Sequence, residues 1–169
     1  MRFNLATFSI RGAAGMQLLS DVLKEAGQMG FYVLLDAPEI LSPAGAELVA
    51  DGIFGADTQL PCDGIVISTY LGSDILKSFM PYCIKEQKDV FCVVRAANRS
   101  AAEVQDLLTG TRLVHHAVAD TVNRLGKEVF GNGNYSRVAA LTSAGSAESL
   151  RALRSKFPRM FMLVDGFDY

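Results

Sequence analysis

Short apolar runs alternate along this chain with longer segments in which apolar residues recur at helical spacing. Residues 31–35 form an apolar run that is followed by a helical segment at about 45–54. A second run at 64–67 is followed by a helical segment at about 73–84. Continuous apolar strands separated by helices are typical of a parallel sheet covered on both faces. The pattern therefore predicts an α/β protein.

The same alternation continues through the rest of the chain. It predicts further strands at 3–10, 90–94, 138–141 and 160–164. It predicts further helices at 16–29, 101–108, 113–125 and 147–156. In the first of these helices the apolar positions expected to face inward are Leu18, Leu19, Val22, Leu23 and Ala26.

About six strands are thus expected in one sheet. Linkers, low-complexity tracts and repeats are not apparent in the sequence, so residues 1–169 are interpreted as a single domain. Both predicted terminal strands lie close to the ends of the sequence.

Composition limits the classes of function to consider. Half of the residues are hydrophobic and the formal net charge is −2, which is typical of a soluble protein with a sizeable core. Without a cluster of Lys and Arg, nucleic acid is not expected as a partner. Neither an apolar stretch of bilayer length nor a secretory signal pattern is evident, so we expect a cytoplasmic protein without membrane contact.

Cysteine and histidine are too few and too scattered to predict a metal site. The three cysteines are widely spaced, and the two histidines, His115 and His116, are adjacent on one predicted helix. Adjacent helical residues point about 100° apart and cannot both face one metal ion. We therefore expect buried thiols, surface or core-edge histidines, and no metal or cofactor.

Five segments, in their order and spacing, resemble the longer bacterial branch of the orotidine 5′-phosphate decarboxylase family. The most specific is Glu103-Val-Gln-Asp-Leu107, which follows the Arg-x-x-Asn pattern of Arg95 to Asn98. The others lie at residues 3–8, 33–37 and 69–74, and at 94–98 around that pattern. The similarity extends from the family's second barrel strand to about its seventh.

This resemblance implies a partial (β/α)8 barrel, in which about six parallel strands alternate with helices and the family's first and eighth strands are missing. It also implies the conversion of orotidine 5′-monophosphate to uridine 5′-monophosphate without cofactor or metal. In the family an alternating Lys-Asp-Lys-Asp array carries the reaction: a carboxylate disfavours the substrate's carboxylate, and a lysine stabilises and protonates the carbanion.

The array is incomplete in this chain. Asp36 matches the first residue of the family's Asp-x-Lys-x-x-Asp motif, but Pro38 stands at the lysine position and Leu41 at the second aspartate. Arg2 lies near the position of the earlier lysine, and a guanidinium is a poor proton donor. Where a glycine-rich phosphate grip is expected, Asp165 and Asp168 would repel a phosphate.

The resemblance assigns Asp36 and Arg2 to catalysis and Asn4, Tyr70, Arg95 and Asn98 to substrate binding. A structural alternative exists for two of these. Asp36 precedes a turn and is able to hold it by accepting backbone N–H bonds, and Tyr70 flanks a predicted tight turn at Gly72. Ala96 and Ala97 replace the hydroxyl residues that help to bind the pyrimidine in the family.

Two functions of different classes follow. The first is an orotidine 5′-phosphate decarboxylase of pyrimidine nucleotide synthesis, a homo-oligomer that binds the nucleotide and is catalytically impaired. The second is a non-catalytic relative that keeps the scaffold for binding or assembly.

Overall fold

The computed structural model describes residues 1–36, 40–127, 129–145 and 147–166. Its strands are β1 (Arg2–Asn4), β2 (Leu34–Asp36), β3 (Gly64–Ser68), β4 (Asp89–Val93), β5 (Leu108–Thr109), β6 (Arg112–Leu113), β7 (Ser136–Ser143) and β8 (Met160–Asp165). Its α-helices are α1 (Leu5–Ser9), α2 (Gly12–Gln28), α3 (Pro43–Phe54), α4 (Ser73–Lys77), α5 (Met80–Lys85), α6 (Ala102–Gln105), α7 (Val114–Gly126) and α8 (Ala147–Lys156). Short 3-10 turns lie at Arg99–Ala101 and Asn132–Asn134.

Six of the described strands form one parallel sheet in the order β1-β2-β3-β4-β7-β8. The register aligns Asn4 with Asp36 in the first pair and Leu141 with Leu163 in the last. Helices lie between successive strands of this sheet, whereas β5 and β6 form a separate antiparallel hairpin. The α/β class and the partial (β/α)8 barrel are confirmed.

The described residues divide into two compact units. The first comprises Met1–Ile67 and Asp74–Val90. Its core contains Leu23, Leu35 and Ile65, together with Phe79, whose ring meets that of Phe54 edge to face at 6.2 Å. Strands β2 and β3 are largely apolar because most of their residues are buried, whereas β1 is mostly exposed.

The second unit comprises Ser68–Ser73 and Phe91–Tyr169. Its core is formed by apolar residues of β4, α7, β7 and β8 and by Val94, which directly follows β4; it includes Val122, Val138 and Met160. His115 is buried with them, at 1% exposure. The expectation of surface or core-edge positions is therefore wrong for His115, although His116 is half-buried.

The predicted strand at 3–10 is wrong after its first residues. The strand ends at Asn4, whose side-chain oxygen accepts a hydrogen bond from the Thr7 N–H at 3.2 Å and caps α1. A side chain in this position satisfies one of the donors that a helix start leaves open. The apolar run therefore continues as a helix.

Two predicted helices are shorter than expected. The segment at 73–84 divides into α4 and α5 because Pro81 offers no N–H and its ring conflicts with the carbonyl four residues earlier. The segment at 101–108 ends at Gln105 and gives way to β5, whose hairpin turns at Gly110 with φ of +65°.

The positions of α2 expected to face inward are only partly those that do. The buried positions include Leu19, Leu23 and Ala26, whereas Leu18 is half exposed.

Other local predictions are confirmed. The sequence Ser42-Pro43 is typical of a helix start, and Ser42 accepts a hydrogen bond from the Gly45 N–H at 3.1 Å and caps α3, with Pro43 at its first position. Gly72 adopts φ of +111° in the turn after β3. All three cysteines are buried.

Among the described helices, none is long and apolar enough to cross a membrane.

Candidate functional site

The pairing of β1 with β2 brings the two candidate catalytic residues together in the first unit. Parallel pairing aligns Asn4 with Asp36, and Arg2 lies two residues earlier on the same face of its strand. The Nε–H of Arg2 donates to Oδ1 of Asp36 at 2.8 Å. Asp36 is largely buried and Arg2 is about one-third exposed, so the carboxylate is held by a cation at the end of its strand.

The remaining first-unit candidates are placed differently. The side-chain oxygen of Asn4 is engaged in capping α1, so its side-chain NH2 donor is the part left for a ligand. Leu41 is 78% exposed just before α3 and brings no charge to this region. Pro38 lies outside the described residues, as does Asp168.

In the second unit Tyr70 is fixed by its hydroxyl group. That group donates a hydrogen bond to the Val94 carbonyl at 2.6 Å, one residue before Arg95. Burial raises the pKa of Tyr70 to about 12, the charge of Asp106 adds to the increase, and Arg95 opposes it. Tyr70 therefore stays protonated at neutral pH and ties the turn after β3 to the end of β4.

Arg95 is held by a residue that the sequence analysis did not single out as a site residue. Its Nε and Nη2 donate to Oδ1 and Oδ2 of Asp106 at 2.9 and 2.8 Å, and Nη1 donates to the Ala96 carbonyl at 3.1 Å. Two parallel bonds of this kind are the strongest geometry for an Arg–carboxylate pair. Their formation holds the pKa of Asp106 below its usual range and raises that of Arg95.

The loop after β4 has a second attachment beside this ion pair. The Ala96 N–H donates to Oε1 of Gln105 at 2.8 Å, so two consecutive residues of the loop are held by the end of α6. Asn98 follows in extended conformation, is exposed, and precedes the Arg99–Ala101 turn without capping it through its side chain.

His115 completes this arrangement from α7. Its Nδ1 lies 2.9 Å from the Gln105 carbonyl and 3.2 Å from Oδ1 of Asp106. A carbonyl oxygen accepts only, so Nδ1 carries a proton. Nε2 is buried and, among the described residues, has no hydrogen-bond partner. The pKa of the neighbouring His116 is lowered by burial and by the proximity of His115.

Sequence reasoning missed Gln105, Asp106 and His115 as parts of the site. The signal was present for the first two, because both belong to the motif at 103–107 that is most specific for the family. Gln105 and Asp106 reach the loop after β4 because α6 ends at Gln105. The helical spacing of the sequence instead predicts a helix that continues to residue 108. Among the described residues, no group of three or more His, Cys, Asp or Glu side chains is arranged to hold a metal ion.

Known proteins similar in sequence to this chain are orotidine 5′-phosphate decarboxylases. Orotidine 5′-phosphate decarboxylase of Rhodopirellula baltica is 30% identical over 166 residues, which are 96% of this chain and 55% of that protein. The chain is a homologue of orotidine 5′-phosphate decarboxylases. The enzyme of the same name from Clostridium novyi is 25% identical over 98% of the chain and 58% of its own length.

Solved structures of orotidine 5′-monophosphate decarboxylases are similar to the structure of this chain. That of Leishmania donovani OMP decarboxylase has a TM-score of 0.79 at 30% identity, covering 98% of this chain and 61% of that one. The Plasmodium berghei decarboxylase, at 18% identity and a TM-score of 0.83, supports the fold alone. No family model matches the chain. The chain spans between 55% and 58% of the length of the curated decarboxylases that it matches.

Proposed function

We propose that this chain binds a pyrimidine nucleoside 5′-monophosphate in the manner of an orotidine 5′-phosphate decarboxylase and that, by itself, it decarboxylates poorly or not at all. The observation that carries the proposal is the similarity to decarboxylases over 96% of the chain, combined with Pro38 and Leu41 at two positions of the charged motif. Homology supports the ligand class, and the missing charges support the loss of turnover.

The reaction requires two things of the protein. When the bond between the ring carbon and the carboxylate breaks, carbon dioxide leaves and the electron pair stays on the ring carbon. That carbon then takes a proton from a nearby acid. A fixed carboxylate beside the substrate's own carboxylate destabilises the bound ground state, and a cation stabilises the carbanion.

Arg2 and Asp36 meet these requirements only in part. Asp36 is paired with Arg2 at 2.8 Å, so its negative charge is partly neutralised and repels a substrate carboxylate less. The Arg2 guanidinium is able to stabilise negative charge, but a guanidinium stays protonated and is a poor source of a proton. Leu41 supplies neither charge nor proton.

The size of the deficit follows from these losses. Removing one preorganised electrostatic group commonly lowers kcat by a factor of about 100 to 1,000. With the motif lysine and the second aspartate both replaced, the combined loss is expected to hide turnover. A role as a binding protein on the same scaffold is the second candidate, and the exposed Leu41 at a motif position favours it.

Two assays on the same preparation test the proposal. Release of labelled carbon dioxide from carboxyl-labelled orotidine 5′-monophosphate should not exceed that of a heat-inactivated control, and calorimetry should detect binding of uridine 5′-monophosphate. Pro38→Lys alone should not restore release, because Leu41 leaves the new ammonium without its carboxylate partner. Turnover by the unmodified chain would contradict the loss of activity, and absence of nucleotide binding would contradict the ligand class.

The expected homo-oligomer and cytoplasmic location, and the absence of nucleic acid as a partner, stay predictions.

A further inference from the structure

The second unit holds a polar arrangement formed by the buried His115 and the partly buried Asp106 and Arg95. Asp106, which follows α6, accepts both parallel bonds from Arg95 and lies beside Nδ1 of His115. His115 comes from the first turn of α7, and its side chain is 2% exposed. The loop after β4, the end of α6 and the first turn of α7 therefore meet at one carboxylate.

Burial of His115 explains why the Asp106 carboxylate has one orientation. A buried imidazole whose Nδ1–H is directed at both the Gln105 carbonyl and Oδ1 of Asp106 cannot rotate without losing those acceptors. Bidentate pairing then fixes the plane of the guanidinium to the plane of the carboxylate. Orientation is thus passed from α7 through Asp106 to Arg95.

The unused N–H donors of Arg95 indicate what its fixed orientation is for. A guanidinium has five N–H donors, and the bonds described for Arg95 use Nε, one donor of Nη2 and one of Nη1. One donor on each terminal nitrogen is left for other acceptors, and the side chain is 21% exposed. Because Asp106 neutralises the charge, Arg95 is better suited to a directed bond with a neutral acceptor than to attraction of a phosphate.

We propose that Asp106 is a positioning residue, which His115 orients, and that it holds Arg95 so that its remaining N–H groups meet a carbonyl oxygen of a bound pyrimidine. This inference rests on the proposed function, since it concerns how the same nucleotide is held. It gives the loop after β4 a group that can bond to a base although Ala96 and Ala97 stand in place of hydroxyl residues.

The first test needs no ligand. In NMR spectra of the 15N-labelled chain, the Nε–H of Arg95, identified by its disappearance in Arg95→Lys, should exchange slowly with water because it is bonded to Asp106. Asp106→Asn should broaden or remove this signal. Asp120→Asn is the matched control, since Asp120 pairs with Arg112 and Lys156 in the same unit at a similar exposure of 31%. A sharp Arg95 signal in Asp106→Asn would overturn the proposal.

The second test measures binding of uridine 5′-monophosphate by calorimetry. Asp106→Asn and Arg95→Lys should each weaken binding about tenfold, which corresponds to the loss of one well-placed hydrogen bond. In the Arg95→Lys background, Asp106→Asn should have no further effect, because Asp106 acts through Arg95. Additive losses would show an independent role and overturn the inference, and so would wild-type affinity in either single variant.

Competing outcomes are separable. If Asp106→Asn does not fold, Arg95→Lys still decides, because it keeps the charge and loses the parallel bonds. Equal weakening of ribose 5-phosphate binding would place Arg95 at the phosphate and overturn the assignment to the base. If the wild-type chain binds no uridine 5′-monophosphate, the proposed function and the role at the base both fail, and the exchange of the Arg95 signal then decides only whether Asp106 holds Arg95.

Discussion

At the scale of single residues, the carboxylate of Asp106 links stability to pH. The pKa of Asp106 is lowered by its hydrogen bonds from Arg95, by the charge of Arg95 and by His115. The folded chain therefore binds this proton less readily than the unfolded chain does. The stabilisation is complete above the ordinary carboxyl pKa near 3.8 and is lost as the pH falls through the lower, folded value.

We expect Asp106→Asn to reduce the free energy of unfolding by about 1 kcal/mol at pH 7, a modest value because the carboxylate is one-third exposed. The difference from wild type should shrink towards pH 3, because below the ordinary carboxyl pKa near 3.8 the unfolded wild-type chain takes up this proton. Urea midpoints at both pH values measure this. Asp57→Asn, at an exposed position, controls for loss of charge, and a deficit of Asp106→Asn that is independent of pH would contradict the prediction.

Gly166 is a second residue whose surroundings make a sharp prediction. It adopts φ of +79°, and a Cβ added there would lie 2.6 Å from the Cβ of Ala97. Gly30 has a similar φ of +80° but open space around it. Gly30→Ala should cost about 1 kcal/mol through backbone strain alone, and Gly166→Ala at least about 1 kcal/mol more through the clash. Chemical denaturation compares them, and equal losses would show that the loop of Ala97 yields without cost.

At the scale of elements, polar side chains decide where apolar runs change structure. The cap at Ser42 is predictable from sequence because Ser followed by Pro is a common helix start. The cap at Asn4 is not, because the apolar residues on either side of it fit a strand equally well. Likewise, the spacing within 101–108 fits a helix, and only the turn at Gly110 and the pairing of β5 with β6 make a hairpin there.

Ser42→Ala tests how much such a cap contributes. Loss of the bond from the Gly45 N–H should lower the free energy of unfolding by about 1 kcal/mol. Ser155→Ala, at an exposed position near the end of α8, is the control and should be nearly neutral. Thermal or urea unfolding followed by circular dichroism provides the comparison. A loss no larger than that of the control would mean that Pro43 alone sets the start of α3.

At the scale of the whole molecule, the parallel sheet of six strands could be predicted from the sequence because most of its strands are short apolar runs separated by helices. The candidate site was accessible only where it coincides with strand ends, as at Asp36 and Arg95. Asp106 lies 11 positions from Arg95 and reaches it through a turn that helical spacing does not reveal. Contacts that depend on such a turn require the structure.

Edge strands lead to a prediction about association. The sheet order places β1 and β8 at the edges, and each presents backbone N–H and C=O groups on one side. We expect self-association at micromolar concentration, measured by light scattering after size exclusion. Val164→Lys in β8 should weaken it, since a charge on an edge strand opposes pairing, and Ala152→Lys on α8 should not. A monomer that binds no hydrophobic dye would contradict the prediction.

The buried cysteines make the chain its own reporter of transient opening. Cys62 and Cys83 belong to the first unit and Cys92 to the second, and burial raises the pKa of the Cys62 thiol to about 12. A reagent that attacks thiolates reaches such a group only when the surrounding structure opens. The modification rate at each cysteine, resolved by mass spectrometry, therefore measures how often the unit that contains it opens by local unfolding. No label has to be introduced.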